Sequence, residues 1–130
     1  MAKAISWRTA PIRVLQYAFC PNEDEWAAER RRVLKSAHVD IGDYPSTSGM
    51  ATSWKEANGC SSCMVTLADH VREDASVMWS TIAHESYHVA CRVAEVMHDE
   101  NASEEFMAYL LEEITKNIGR DCLRWLGKQA

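Results

Sequence analysis

Nowhere does this chain hold the roughly 20 consecutive apolar residues that a bilayer-spanning helix needs. Its longest apolar stretch is broken by His84, Glu85, His88 and Arg92, so no membrane partner is expected. Positive charge is also short: 14 Lys and Arg stand against 19 Asp and Glu, for a formal net charge of -5. Such a balance repels a phosphate backbone. The one basic cluster, Arg30-Arg31-Arg32, falls in the later turns of a predicted helix, where cations suit the helix dipole. Nucleic acid is therefore excluded as the expected partner. The start of the chain, Met1 to Arg8, lacks the apolar core and small-residue cleavage site of a signal peptide, which points to the cytoplasm. Cysteines number five, an odd count without framework spacing, and read as free thiols. With only 5 Gly and 3 Pro and no repeat, linker or low-complexity segment, residues 1–130 read as a single domain.

What is present alternates between two periodicities. Pro11 to Phe19 is rich in β-branched and aromatic residues and predicts a first strand. Asn22 with Glu25 three residues on forms a capping-box variant, opening a helix to about Ala37 whose apolar face is Trp26, Ala27, Val33, Leu34 and Ala37. Asp40 to Gly49 reads as loop. Met50–Glu56 and Cys60–Ala68 predict a hairpin turning at Asn58-Gly59, with Cys63, Val65 and Leu67 on one face and Met64, Thr66 and Ala68 on the other. After a polar connection, Asp74 or Ser76 caps a long helix running to about His98. Asp99 to Asn101 is expected to turn, with either an Asn101–Glu104 capping box or Ser103 starting the last helix. That helix carries Met107, Leu111, Ile114, Ile118, Cys122 and Trp125 as one apolar stripe to Leu126, with a possible break at Gly119 and a stop at Gly127. The five tryptophans are expected to fill the core, and His38 and His70 to be solvated. The fold class is α+β.

Within the long helix stands His84-Glu85-Ser86-Tyr87-His88. Two histidines four apart project from one helical face a turn apart and can grip one cation, for which neutral imidazole favours Zn²⁺. Glu85 beside the first histidine is placed to serve as general base toward a water at the open position. The surroundings, from Val77 to Met97, are apolar, where two imidazoles and a carboxylate are costly unless paired or metal-bound.

A catalytic zinc needs a third protein ligand. The glycine and third histidine of the metzincin pattern are replaced by Cys91 and Ala94, which excludes that subclass. His98 lies about 15 Å along the helix from His88. Cys91 shares the face, but a small thiol on an apolar helix is ordinary packing. Glu105, in the first turn of the next helix, shares a polar stripe with Tyr109 and Glu112, whereas its neighbour Glu104 suits a capping role. The pair Cys60 and Cys63 resembles half a zinc knuckle or a redox pair, but no second pair accompanies it.

His84-Glu85-Ser86-Tyr87-His88 followed by Glu105-Phe106-Met107-Ala108-Tyr109-Leu110 resembles the gluzincin zinc peptidases, and in particular small phage and prophage proteins with the same two motifs. The resemblance covers about Cys60 to Leu126. It implies a minimal zincin-like fold: a strand and a hairpin packed on a central motif helix and a long antiparallel helix after it. It also implies zinc held by His84, His88 and Glu105, with Glu85 as base. Tyr109 stands where thermolysin-like gluzincins carry an aspartate, and with Tyr87 and His70 it is a candidate donor to the oxyanion. Two functions follow as expectations. One is a zinc-dependent peptidase acting on a protein or peptide substrate, in the host cytoplasm if phage-encoded. The alternative is a catalytically inactive zincin-fold protein that binds a viral or host protein partner.

Overall fold

The structure, a computed structural model, describes residues 5–10, 15–98 and 102–129. In chain order they form strand β1 (Arg8–Thr9), strand β2 (Leu15–Cys20), helix α1 (Glu23–Ala37), strand β3 (Gly49–Lys55), strand β4 (Ser61–Leu67), a short 3₁₀ turn (Asp69–Glu73), helix α2 (Ala75–Val96) and helix α3 (Glu104–Gln129). The fold is α+β with one mixed four-stranded sheet, ordered β1-β2-β4-β3. β2 and β4 run parallel; β1 is antiparallel to β2, and β3 to β4. The parallel pair needs a long crossover, and α1 supplies it.

Side-chain alternation along the two central strands sorts them between two cores. Tyr17, Phe19, Cys63, Val65 and Leu67 meet α2 and α3 on one face. Ala18, Cys20 and Met64 meet Trp26 and Val33 of α1 on the other. The expected split of Cys63, Val65 and Leu67 from Met64 thus separates the two helical layers, but Ala68, expected beside Met64 and Thr66, lies past the end of β4 and joins the Cys63 side. Every residue of β4 is buried, as a strand covered on both faces must be. β3, with one neighbour among the described residues, is an edge strand.

Local signals act where expected. Asn22 accepts the Glu25 N–H at 2.9 Å and opens α1. Asp74 accepts the N–H groups of Ser76 and Val77 at 2.9 and 3.3 Å and opens α2, and these bonds with the Ser76 hydroxyl hold its carboxyl below the usual range. In the hairpin, Gly59 takes φ +89° while Asn58 Oδ1 accepts the Cys60 N–H at 3.0 Å. Ser103 Oγ accepts the Phe106 N–H at 3.1 Å, so the serine fills the cap position of α3. Asp99 to Asn101, where the alternative capping box and the turn were expected, lie outside the described residues, as do Pro11 to Val14 of the expected first strand.

Four expectations are corrected. β1, two residues long, carried no signal and forms by pairing with β2. α3 continues unbroken through both Gly119 and Gly127 to Gln129. Gly119 is a site of close approach: a Cβ there would overlap the Trp79 ring of α2. The tryptophans divide, with Trp26 and Trp54 buried, Trp7 and Trp125 half-buried and Trp79 exposed over Gly119. On α1, Leu34 is exposed, and Glu29 joins Trp26 and Val33 among the buried residues. No helix among the described residues is long and apolar enough to cross a membrane.

α2 and α3 pack antiparallel. Met78 and Trp79, near the start of α2, meet Cys122 and Gly119, far along α3. Polar ties fix α3 over the β1–β2 half of the sheet: Arg8 donates two hydrogen bonds to Asp121, at 2.8 and 2.6 Å, and Asn117 donates to Tyr17 Oη at 2.9 Å. Burial pushes the Tyr17 hydroxyl up, against the lowering effect of that bond. With α3 on one flank of α2, the other flank faces β3.

Candidate metal centre

Successive residues of a helix advance about 100°, so α2 presents three directions at once. Met78, Ile82 and Val89 go into the core. Trp79 goes to α3. His84, Glu85, His88 and Arg92 go to the opposite flank, where they line a groove of about 560 Å³ with β3 as its other wall. Cys63, from the central strand, is in its floor. Burial pushes the Cys63 thiol up to about 12, Arg92 opposing and Glu85 adding to the shift, so it is a neutral packing group. Cys60, three residues earlier, is exposed, and the two cysteines of that pair do not share an environment.

The histidine pair is close-set. Nε2 of His84 and Nε2 of His88 stand 3.3 Å apart, with ring centroids at 5.0 Å and planes 74° apart. A zinc–nitrogen distance of about 2.0–2.1 Å and a tetrahedral angle put two ligand nitrogens about 3.3–3.4 Å apart. A neutral ring that carries its proton on Nδ1 leaves its Nε2 lone pair free for a cation. The pair fits a tetrahedral ion. His84 is open to solvent, its side chain 69% exposed, so water reaches the pair.

Glu85 differs in exposure from both histidines. It is 6% exposed, tucked against β3, and its Oε2 is 4.0 Å from His84 Nε2. Gly49 makes that fit possible. A Cβ at 49 would stand 3.1 Å from Glu85 Cγ and 2.7 Å from the Thr81 methyl, so the strand passes over the helix only without a side chain there. His84, Glu85 and His88 form a group in which ligand atoms lie within 4.8 Å of one another.

Glu105 is not in that group. It and Tyr109 are exposed on α3, in the stripe that includes Glu112, while the buried side of α3 is Leu110, Ile114, Ile118 and Cys122. Tyr87 is also exposed, its hydroxyl engaged with Cys91 and raised by that contact, and His70 is exposed on the 3₁₀ turn. The strand bordering the groove is β3; Cys63 to Leu67 lies one place inside the sheet. Neither Gly49 nor Arg92 stands out in the sequence as a site residue. Arg92 had a visible signal, since it is four residues beyond His88 and so on the same face. Gly49 had none, because its partners Thr81 and Glu85 are more than thirty residues away. Comparison with family models, with curated proteins and with solved structures finds no match.

Proposed function

We propose that this protein is a zinc-dependent peptidase whose site is the groove between β3 and α2. The observation that carries the reading is the 3.3 Å separation of the two Nε2 atoms beside a buried glutamate, in a groove open to solvent. His84 and His88 would hold the ion. The gluzincin resemblance gives the third protein ligand to Glu105; that assignment rests on the order of the helices, and the Glu105→Ala variant tests it. Bound there, zinc would polarise the scissile carbonyl and acidify a water toward a pKa of about 7.

The remaining work falls to the chain itself. Glu85, buried beside Gly49, would take a proton from the attacking water and return it to the leaving amine. β3 offers an extended peptide an unpaired strand edge along the groove, where main-chain hydrogen bonds would hold substrate in register. A second reading, a zincin-like protein that binds zinc and a protein partner without cleaving, draws support from the exposure of Glu105 and Tyr109 outside the cluster.

Metal content by mass spectrometry separates these from a helix that carries histidines for other reasons. One zinc per chain in wild type, lost in His84→Ala, supports the metal centre; equal content in both sinks it. Loss in Glu105→Ala as well assigns the third ligand. Peptide cleavage that falls about 10²- to 10⁴-fold in Glu85→Gln, at unchanged zinc content, supports hydrolysis. A zinc-loaded wild type inert toward unfolded protein substrates supports the second reading.

A further inference from the structure

Arg92 lies one helical turn beyond His88 in the wall of the groove, beside the floor residue Cys63 and across from Ser53 of β3. Its side chain is 30% exposed. Its Nη1 donates to Glu95 at 3.0 Å, but Nε is buried with no hydrogen-bond partner among the described residues. An orphaned buried donor is costly, and the pair with Glu95 offsets little of that cost. Glu95 is 68% exposed and holds one arm of the guanidinium, an arm that a carboxylate in the groove can take over. A planar guanidinium held only by so exposed a partner suits exchange of that partner for another carboxylate.

Position then fixes where that carboxylate sits. Arg92 is four residues past His88 and eight past His84, about 6–12 Å along the helix axis. An extended peptide advances about 3.3 Å per residue, so that distance is about two to four residues. We infer that Arg92 is a specificity residue that receives a carboxylate about two to four residues from the scissile bond, supplied by an acidic side chain or by the C-terminus of the substrate. Glu95 occupies Arg92 in the free protein and is displaced when substrate binds. The inference rests on the peptidase reading of the groove, and the experiment below separates the two.

The test uses zinc-loaded Glu85→Gln protein, which retains the groove without turnover, and short peptides of one apolar core sequence. Glu or Gln is placed in turn at each position, and each peptide is made with a C-terminal acid and a C-terminal amide. The expected result is one register at which Glu binds about tenfold or more tighter than Gln, or the acid tighter than the amide. The first identifies an acidic side chain, the second a chain terminus. That preference should collapse in Arg92→Gln, persist in part in Arg92→Lys, and increase in Glu95→Gln, where the internal competitor is gone. Glu95 is exposed, so its substitution leaves folding intact and keeps the test meaningful if Arg92→Gln does not fold. Equal binding of Glu and Gln, and of acid and amide, overturns the inference. So does a preference unchanged by Glu95→Gln and by both Arg92 variants. Cleavage by the Glu85 protein without a carboxylate preference overturns this inference alone. A carboxylate preference without cleavage overturns only the peptidase reading, and a protein that binds no peptide overturns both.

Discussion

On one flank of α2 the Trp79 ring lies over Gly119 of α3; on the other, Gly49 of β3 lies over Thr81 and Glu85. Both are close approaches allowed by a missing side chain, yet they do different work. The α3 flank is sealed. Below Trp79, the fully buried Ile114, Ile118 and Cys122 join the sheet core, and Arg8–Asp121 and Tyr17–Asn117 lock the outer edge. The β3 flank stops short of closure. It buries Glu85 to 6% exposure but leaves the His84 side chain at 69%. Buried packing is concentrated on the first flank and the candidate site on the second, so substitutions on the two should separate in what they disturb.

Ile118→Ala gives the sharpest test of that separation. Removing a fully buried isoleucine side chain should cost about 2–5 kcal/mol, read as a lowered midpoint of urea unfolding. Zinc bound per folded chain should stay unchanged, and a parallel loss of metal affinity would show that the flanks are coupled. Gly119→Ala should cost about 1–3 kcal/mol, because the Trp79 ring must give up its seat. In a Trp79→Ala background the same change should reverse sign and stabilise by up to about 1 kcal/mol, since alanine is the better helix former once the overlap is gone. A destabilising Gly119→Ala in that background would refute the packing account.

Gly49→Ala is the counterpart on the open flank. It should cost about 1 kcal/mol in stability while displacing Glu85 and Thr81, so cleavage falls more than the unfolding midpoint does. A loss of stability with full activity would mean that Glu85 is not the working base. The smallest effect is expected far from the groove, at Glu56. Burial pushes the Glu56 carboxyl up, but hydrogen bonds from Arg32, Ser62 and Trp54 outweigh it and hold the group below its ordinary 4.5. A carboxyl lowered by folding stabilises above its unfolded pKa and loses that contribution as pH falls through the folded value. Wild type should therefore lose stability below about pH 4.5, with a shallower decline in Glu56→Gln. Identical pH profiles would remove Glu56 from the account.

Much of the structure was legible because it depends on residues close together in the chain. Asn22 and Asp74 cap the helices they begin, Asn58-Gly59 turns the hairpin, and the alternation from Cys63 to Leu67 sorts the strand between two cores. The spacing of His84 and His88 is of the same kind: one turn of α-helix already places the two rings together, whatever surrounds them. Glycine read by local rules misled at 119 and 127, because chain-breaking propensity is weak and a neighbouring helix overrides it. The order β1-β2-β4-β3, the choice of β3 as the edge, the flank of α2 taken by α3, and the approach of Gly49 to Glu85 all join residues distant in sequence. Nothing in a local pattern specifies them, because they are settled by which burial of all the apolar faces at once leaves the fewest groups unpaired. The sequence by itself therefore determined a pair of histidines with a glutamate on one helical face. Only the tertiary structure decided that this face opens onto an edge strand, with Gly49 pressed over Glu85 and Glu105 outside the cluster among the described residues.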